Sequence, residues 1–164
     1  MVGDDEFEDL DEGTQPGDRQ FVASRQGDAP VVVDAPVGRE SVLKTVEHLR
    51  SLSAAGTNLG NVAVLTMSAK DAERYETALG GAGIEAQSLL DYDGVTSARV
   101  KVGTVKRAKG LEFAHVLLPE LVSTPRQWHG ESDESFEERA RRHRRETYVA
   151  MTRARDGLWV CQAR

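Results

Sequence analysis

Val62-Ala63-Val64-Leu65 is a run of four aliphatic residues with no polar break, bounded by Gly56, Asn58 and Gly60 before it and Thr66 after it. The run is too short for a helix, and it is apolar at every position rather than at every second one. Such a segment has no solvent face, as expected of a strand covered on both sides within a parallel sheet. Parallel neighbours cannot be joined by tight hairpins and need crossover connections of a dozen or more residues, usually helical. This segment therefore constrains the chain to an α/β architecture.

The rest of the sequence supplies such elements. Val31-Val32-Val33, between Pro30 and Pro36, reads as a strand. Ser41 to Leu52 carries Val42, Leu43, Val46 and Leu49 at helical spacing. A helix begins at Ser68 or Lys70 and runs through Leu79, with Gly80, Gly81 and Gly83 expected to stop it. Ile84 to Leu89 reads as a short strand, and Val100, Val102 and Val105 as another that enters a tight turn at Ala108-Lys109-Gly110. Val116-Leu117-Leu118 is a further apolar run, expected to end at Pro119. Residues 123–135 read as a loop, residues 136–151 as a long helix, Asp156-Gly157 as a turn and Leu158 to Cys161 as the closing strand. Strands alternating with helices indicate a mainly parallel sheet in a three-layer domain.

Composition narrows the class. The 164 residues suit one domain. Only 5% are aromatic, so aliphatic side chains must fill most of the core. No apolar run approaches the roughly 18 residues of a membrane span, and the acidic N-terminus does not resemble a secretory signal. The single cysteine, Cys161, excludes an internal disulfide and suits a reducing cytoplasm. Seven acidic residues among the first twelve, followed by Gly13, Pro16 and Gly17, make residues 1–29 an expected flexible lead-in ahead of a domain over 30–164. The net charge of −6 is uneven: residues 1–98 hold 7 Lys/Arg against 18 Asp/Glu, and residues 99–164 hold 14 against 9. An acidic whole argues against a module held to nucleic acid by charge alone, but its basic last third allows a local phosphate-facing surface.

Two segments in that last third carry chemistry. In the first, a strand delivers Thr104 and Lys106 to its C-terminal end, where open α/β sheets place ligands. Lys106, Arg107 and Lys109 follow within four residues and suit phosphates of DNA or of a nucleotide. Gly110 allows close backbone approach, and Glu112 can accept hydrogen bonds from ribose hydroxyls. Taken alone, this segment is equally well an exposed basic turn with Glu112 in a surface ion pair. In the second, Arg141, Arg142, Arg144 and Arg145 lie beside Glu137, Glu138 and Glu146, many as i,i+4 partners on a solvated helix face. Beyond them, Arg153 sits where a helix ends before a strand. There it can either oppose the helix dipole or stabilise charge on a phosphoryl group held by another domain.

Read together, residues 104–113 (Thr-Val-Lys-Arg-Ala-Lys-Gly-Leu-Glu-Phe) resemble helicase motif V of the UvrD/Rep superfamily 1 DNA helicases, and residues 146–155 (Glu-Thr-Tyr-Val-Ala-Met-Thr-Arg-Ala-Arg) resemble motif VI. The resemblance covers about residues 60–164 in family order and implies the second, RecA-like motor domain. It further implies ATP and Mg²⁺ as cofactors, held mainly by a first motor domain bearing the P-loop, and single-stranded DNA as partner. Glu112 would bind the ribose, with Gly110 and Lys109 shaping the nucleotide cleft. Arg153 would be the arginine finger on the γ-phosphate, and Thr104, Lys106 and Arg107 would lie near the DNA path. Where Lys106 stands, the family usually has His.

No Gly-x-x-x-x-Gly-Lys-Ser/Thr occurs in the chain, and Asp133-Glu134 is not preceded by an apolar strand, so it is a poor Walker B segment. The expectation is thus half of an ATP site, with no metal ligands of its own. Two alternatives remain open from the sequence: a binding module that kept the fold and lost the motor, and the motor part of a helicase–nuclease.

Overall fold

The structure is a computed structural model that describes residues 28–123 and 125–163. The expected lead-in, but for residues 28 and 29, lies outside the described residues.

Six strands form one sheet in the order β1-β6-β5-β2-β4-β3, and every pairing is parallel. In chain order the elements are β1 (Val31–Ala35), α1 (Arg39–Ala54), a single 3-10 turn (Leu59–Asn61), β2 (Val62–Thr66), α2 (Ala69–Gly81), β3 (Ala86–Ser88), β4 (Val100–Thr104), β5 (Phe113–Leu121), α3 (Asp133–Met151) and β6 (Ala154–Ala163). All five residues of β2 are buried, which explains the uninterrupted apolar run.

Alternation along the strands feeds two cores. Val62 and Val64 face α1 and α2, joining Leu49, Tyr75, Leu79, Val100, Val102 and Trp159. Ala63 and Leu65 face the opposite side, where they meet Val105, Ala108, Val116, Leu118, Ala150 and Val160. Helices α1 and α2 thus cover one face, while α3 and the segment after β4 cover the other. This is the expected three-layer α/β domain.

Four local expectations need correction. Gly80 and Gly81 do not stop α2 but form its last turn; the left-handed residue beyond the helix is Gly83, at φ +77°. Pro119 does not end β5, which continues to Leu121 through an irregularity between Leu118 and Leu121. Proline lacks the N–H a regular ladder uses, so it is tolerated at such a break, and Glu120 there adopts φ 57°. The same strand also shifts register between Phe113 and His115, and the two irregularities let odd-numbered Phe113 and Leu121 share a core with even-numbered Val116 and Leu118.

The helix α3 opens at Asp133, inside the expected loop, where Ser132 Oγ accepts the Ser135 N–H at 3.3 Å. Asp133 and Glu134 occupy its first turn, where negative charge complements the helix N-terminus. Asp156-Gly157 is no turn: both residues lie within β6. Gly157 pairs with His115, and a Cβ there would lie 2.3 Å from His115 Nδ1. It is glycine because the imidazole occupies that space.

Candidate functional site

A wholly parallel sheet has one edge where every strand starts and one where every strand ends. Thr104 closes β4 at the ending edge, in register with Thr66 of β2. Residues 105–112 then return across the sheet face to the starting edge, where β5 begins at Phe113. Val105 and Ala108 are buried against that face, with Leu111 partly buried beside them. Their spacing leaves Lys106, Arg107, Lys109, Gly110 and Glu112 exposed.

One bond to β2 and several within the segment hold this return. The Val105 N–H donates to Thr66 O (3.0 Å), Arg107 N–H to Thr104 O (2.9 Å), Ala108 N–H to Thr104 O (3.1 Å) and Leu111 N–H to Ala108 O (3.0 Å). The Thr104 hydroxyl also accepts from Arg107 N–H at 3.3 Å. Gly110 adopts φ +85° in open space, so conformation rather than crowding calls for glycine there. Lys106 Nζ lies 3.8 Å from Glu146 Oε1 of α3, but the lysine is three-quarters exposed and the pair contributes little.

Arg153 lies between the last turn of α3 and the first residue of β6. Its N–H donates to Ala150 O at 3.1 Å, and its carbonyl accepts the Phe113 N–H at 2.9 Å. The half-buried guanidinium donates from Nε to Val149 O (3.2 Å), from Nη1 to Leu111 O (3.4 Å) and from Nη2 to the exposed Thr152 Oγ1 (3.2 Å). It therefore answers carbonyls at the end of α3 and also ties that end to the return segment. Arg155 is exposed and lies 3.9 Å from its neighbour Asp156.

The sequence-predicted residues thus fall into two groups. Glu112 and Arg153 immediately precede Phe113 and Ala154, which pair across β5 and β6. These two stand together at the starting edge, with Lys109 and Gly110 just before them in the chain. Thr104, Lys106 and Arg107 belong to the opposite end of the return segment and are not part of that cluster. Arg141 and Arg142 form the anticipated i,i+4 pairs with Glu137 (3.6 Å) and Glu138 (3.5 Å).

Sequence reasoning missed two clusters at the ending edge. In the first, the Glu120 carboxylate accepts from the Gly38 N–H (2.7 Å), the Ser41 hydroxyl and the Arg74 guanidinium, while Arg74 also reaches Asp71 at 3.0 Å. Burial opposes ionisation of Glu120, but these donors outweigh it and hold the carboxyl below its ordinary range. The Tyr75 hydroxyl donates to Ser41 Oγ at 3.0 Å, and burial raises the phenol well above its usual value. An acid directly after an apolar run was the available signal. In the second cluster, Arg139 grips Glu131 with Nε and Nη2 at 2.8 and 2.7 Å and lies 4.2 Å from the centre of the Trp128 ring. Those hydrogen bonds lower the Glu131 carboxyl to about 2.

Among the described residues no group of three His, Cys, Asp or Glu could hold a metal ion, and no helix is long and apolar enough to cross a membrane. The starting-edge cluster offers an exposed carboxylate for hydroxyl donors and a guanidinium for an anion.

A parallel six-stranded sheet with helices on both faces, and polar groups gathered where β5 and β6 begin, defines a RecA-like α/β domain. Residues 87–164 match the family model of the UvrD-like helicase C-terminal domain. The match spans both segments that carried the motif resemblance. Among solved structures, the C-terminal domain of a possible DNA helicase from Lactobacillus plantarum WCFS1 superposes with a TM-score of 0.62. It is 24% identical, and the alignment covers 84% of this chain and 76% of that one, a likeness of fold. No curated protein matches the chain.

Proposed function

We propose that this chain is the second motor domain of an ATP-dependent DNA helicase or translocase, completing an ATP site whose P-loop half lies on another domain. One observation carries the reading: Glu112 and Arg153, 41 positions apart in sequence, are brought side by side by the pairing of Phe113 with Ala154. In this reading the Glu112 carboxylate accepts the ribose hydroxyls, and Lys109 and Gly110 border the nucleotide. Arg153 reaches the γ-phosphate, where a planar guanidinium can stabilise charge in transfer. Its bonds to Val149 O and Leu111 O restrict the side chain before ligand arrives, which lowers the ordering cost. When bound, ATP·Mg²⁺ supplies the phosphoryl group and its charge neutralisation, held mainly by the P-loop domain. Thr104, Lys106 and Arg107, at the other end of the return segment, face single-stranded DNA. Closure of the two domains over ATP is thereby linked to the DNA surface through residues 105–112.

Nucleotide competition in the full-length protein tests the ribose contact. Glu112→Ala should raise KM for ATP several-fold and leave KM for 2′,3′-dideoxy-ATP unchanged. An equal rise for both nucleotides would remove Glu112 from the ribose.

A further inference from the structure

A second feature of the ending edge has no role in the nucleotide site or in the core. Residues 125–132 form a tightly bonded loop whose largest side chain, Trp128, remains 66% exposed. The Trp128 N–H donates to Glu131 Oε2 (3.0 Å), the Glu131 N–H donates to Trp128 O (3.1 Å), and Gln127 Nε2 donates to Glu131 O (3.1 Å). Arg139 pins the loop from α3 by its two bonds to Glu131 and a third from Nη2 to Arg126 O (2.8 Å). The same guanidinium lies under the indole, 4.2 Å from the ring centre. A large aromatic ring is thus fixed from behind by a cation and left open in front. Leaving so much apolar surface exposed forgoes the gain from burying it, and an ion pair with four further hydrogen bonds keeps it so.

The loop borders a cleft of about 480 Å³ that also includes Thr66 and Glu120. Thr66 is the register partner of Thr104, so the cleft opens one strand away from the proposed DNA-facing threonine. Asp71 and Glu120 on the cleft are both taken up by Arg74, and Arg139 is taken up by Glu131. Arg126, also on the cleft, is exposed and forms no ion pair among the described residues, so the one charge left over there is a cation.

We infer that Trp128 is a stacking platform for a nucleobase of single-stranded DNA, extending along the sheet edge the path that begins at Thr104, Lys106 and Arg107. The inference rests on that proposed path. Stacking on an aromatic face suits every base, so the platform confers grip without sequence preference. The guanidinium beneath adds positive potential to a ring already held in one orientation.

The 164-residue chain itself allows the test, because Trp159, the other tryptophan, is buried at 3% exposure and stacked on His48. Titration with oligo-dT should quench the exposed indole emission. Trp128→Ala should weaken oligo-dT binding about tenfold, the ~1.4 kcal/mol of one stacked base, and leave binding of an abasic oligomer of equal length unchanged. Trp128→Phe should retain most of the affinity. If Trp128→Ala weakens both oligomers alike, or neither, while Lys106→Ala/Arg107→Ala still lowers affinity, the platform is overturned and the DNA path stands. If the unaltered chain binds no oligonucleotide at low salt, both fall.

Discussion

The main-chain N–H of Phe113 donates to the carbonyl of Arg153 at 2.9 Å, and the Arg153 guanidinium returns a bond to Leu111 O at 3.4 Å. Two segments that are remote in the chain are thereby locked at the point where both proposed nucleotide contacts emerge. In the full-length protein, Arg153→Lys should lower ATP turnover by about 10³- to 10⁵-fold, the range of arginine fingers elsewhere, with an unchanged circular-dichroism spectrum. Arg155→Lys should leave turnover within a few-fold, because Arg155 is exposed beside Asp156. Steady-state ATPase assays decide the matter; a silent Arg153→Lys beside an inactive Arg155→Lys would move the finger to Arg155.

The 164-residue chain alone should show no ATPase activity, with or without DNA. Positioning and charge stabilisation supply nearly all catalysis in phosphoryl transfer, and this sequence contains no P-loop. A phosphate-release assay on the purified chain would refute the half-site reading if it gave DNA-stimulated turnover.

Binding of single-stranded DNA by the same chain should be weak and strongly salt-dependent, since each phosphate contact adds to the salt slope. Lys106→Ala/Arg107→Ala should flatten that slope. Removing residues 1–20, with their surplus of acids, should raise affinity at low salt. Fluorescence anisotropy from 20 to 200 mM salt would show a slope unaffected by the double substitution if these cations face elsewhere.

Glu120 joins β5 to the start of α1 and to α2. Glu120→Gln should destabilise the chain by about 2 kcal/mol, because it removes the charge that holds the Gly38 N–H, the Ser41 hydroxyl and the half-buried Arg74 together and leaves Arg74 with Asp71 alone. The pH dependence follows from the direction of the shift. The folded carboxyl titrates below the 4.5 of the free group, so its contribution is complete above about pH 4.5 and is lost as pH falls through the lower folded value. Urea melts at pH 7 and pH 3 should differ less for Glu120→Gln than for the unaltered chain.

Two glycines of the return region should fail for different reasons. Gly110→Ala meets no neighbour but must hold φ +85°, a cost of about 1 kcal/mol that Gly110→Asn should partly avoid. Gly103→Ala would place a Cβ 2.7 Å from the Leu89 Cβ, and overpacking of this kind costs about 1–3 kcal/mol. Thermal unfolding of the three variants separates strain from crowding: Leu89→Ala, which removes Cγ and Cδ1 but keeps Cβ, should relieve Gly103→Ala only in part and leave Gly110→Ala unchanged.

Local pattern made much of the fold legible. The apolar β2, the helical spacing of α1 and α2 and the paired charges of α3 each reflect a period set within a few residues, and all appear where the sequence places them. The errors fell where a distant contact overrides a local rule. Pro119 reads as a terminator because it lacks an N–H, yet β5 passes it through a bulge that Glu120 anchors to α1 and α2. Asp156-Gly157 reads as a turn because those residues favour turns, yet Gly157 lies in a strand to make room for His115.

By itself, then, the sequence determined the class of domain, because an apolar strand covered on both faces, in a chain whose strands alternate with helices, fits a parallel sheet between helical layers. It also marked Lys106, Arg107 and Lys109 as a basic cluster before Gly110. Tertiary structure alone decided that Glu112 and Arg153 meet at one sheet edge while Thr104 stands at the other. It alone decided that Glu131 and Arg139 hold Trp128 open to solvent. Strand register and long-range ion pairs join residues whose separation along the chain carries no period, so no local pattern encodes them.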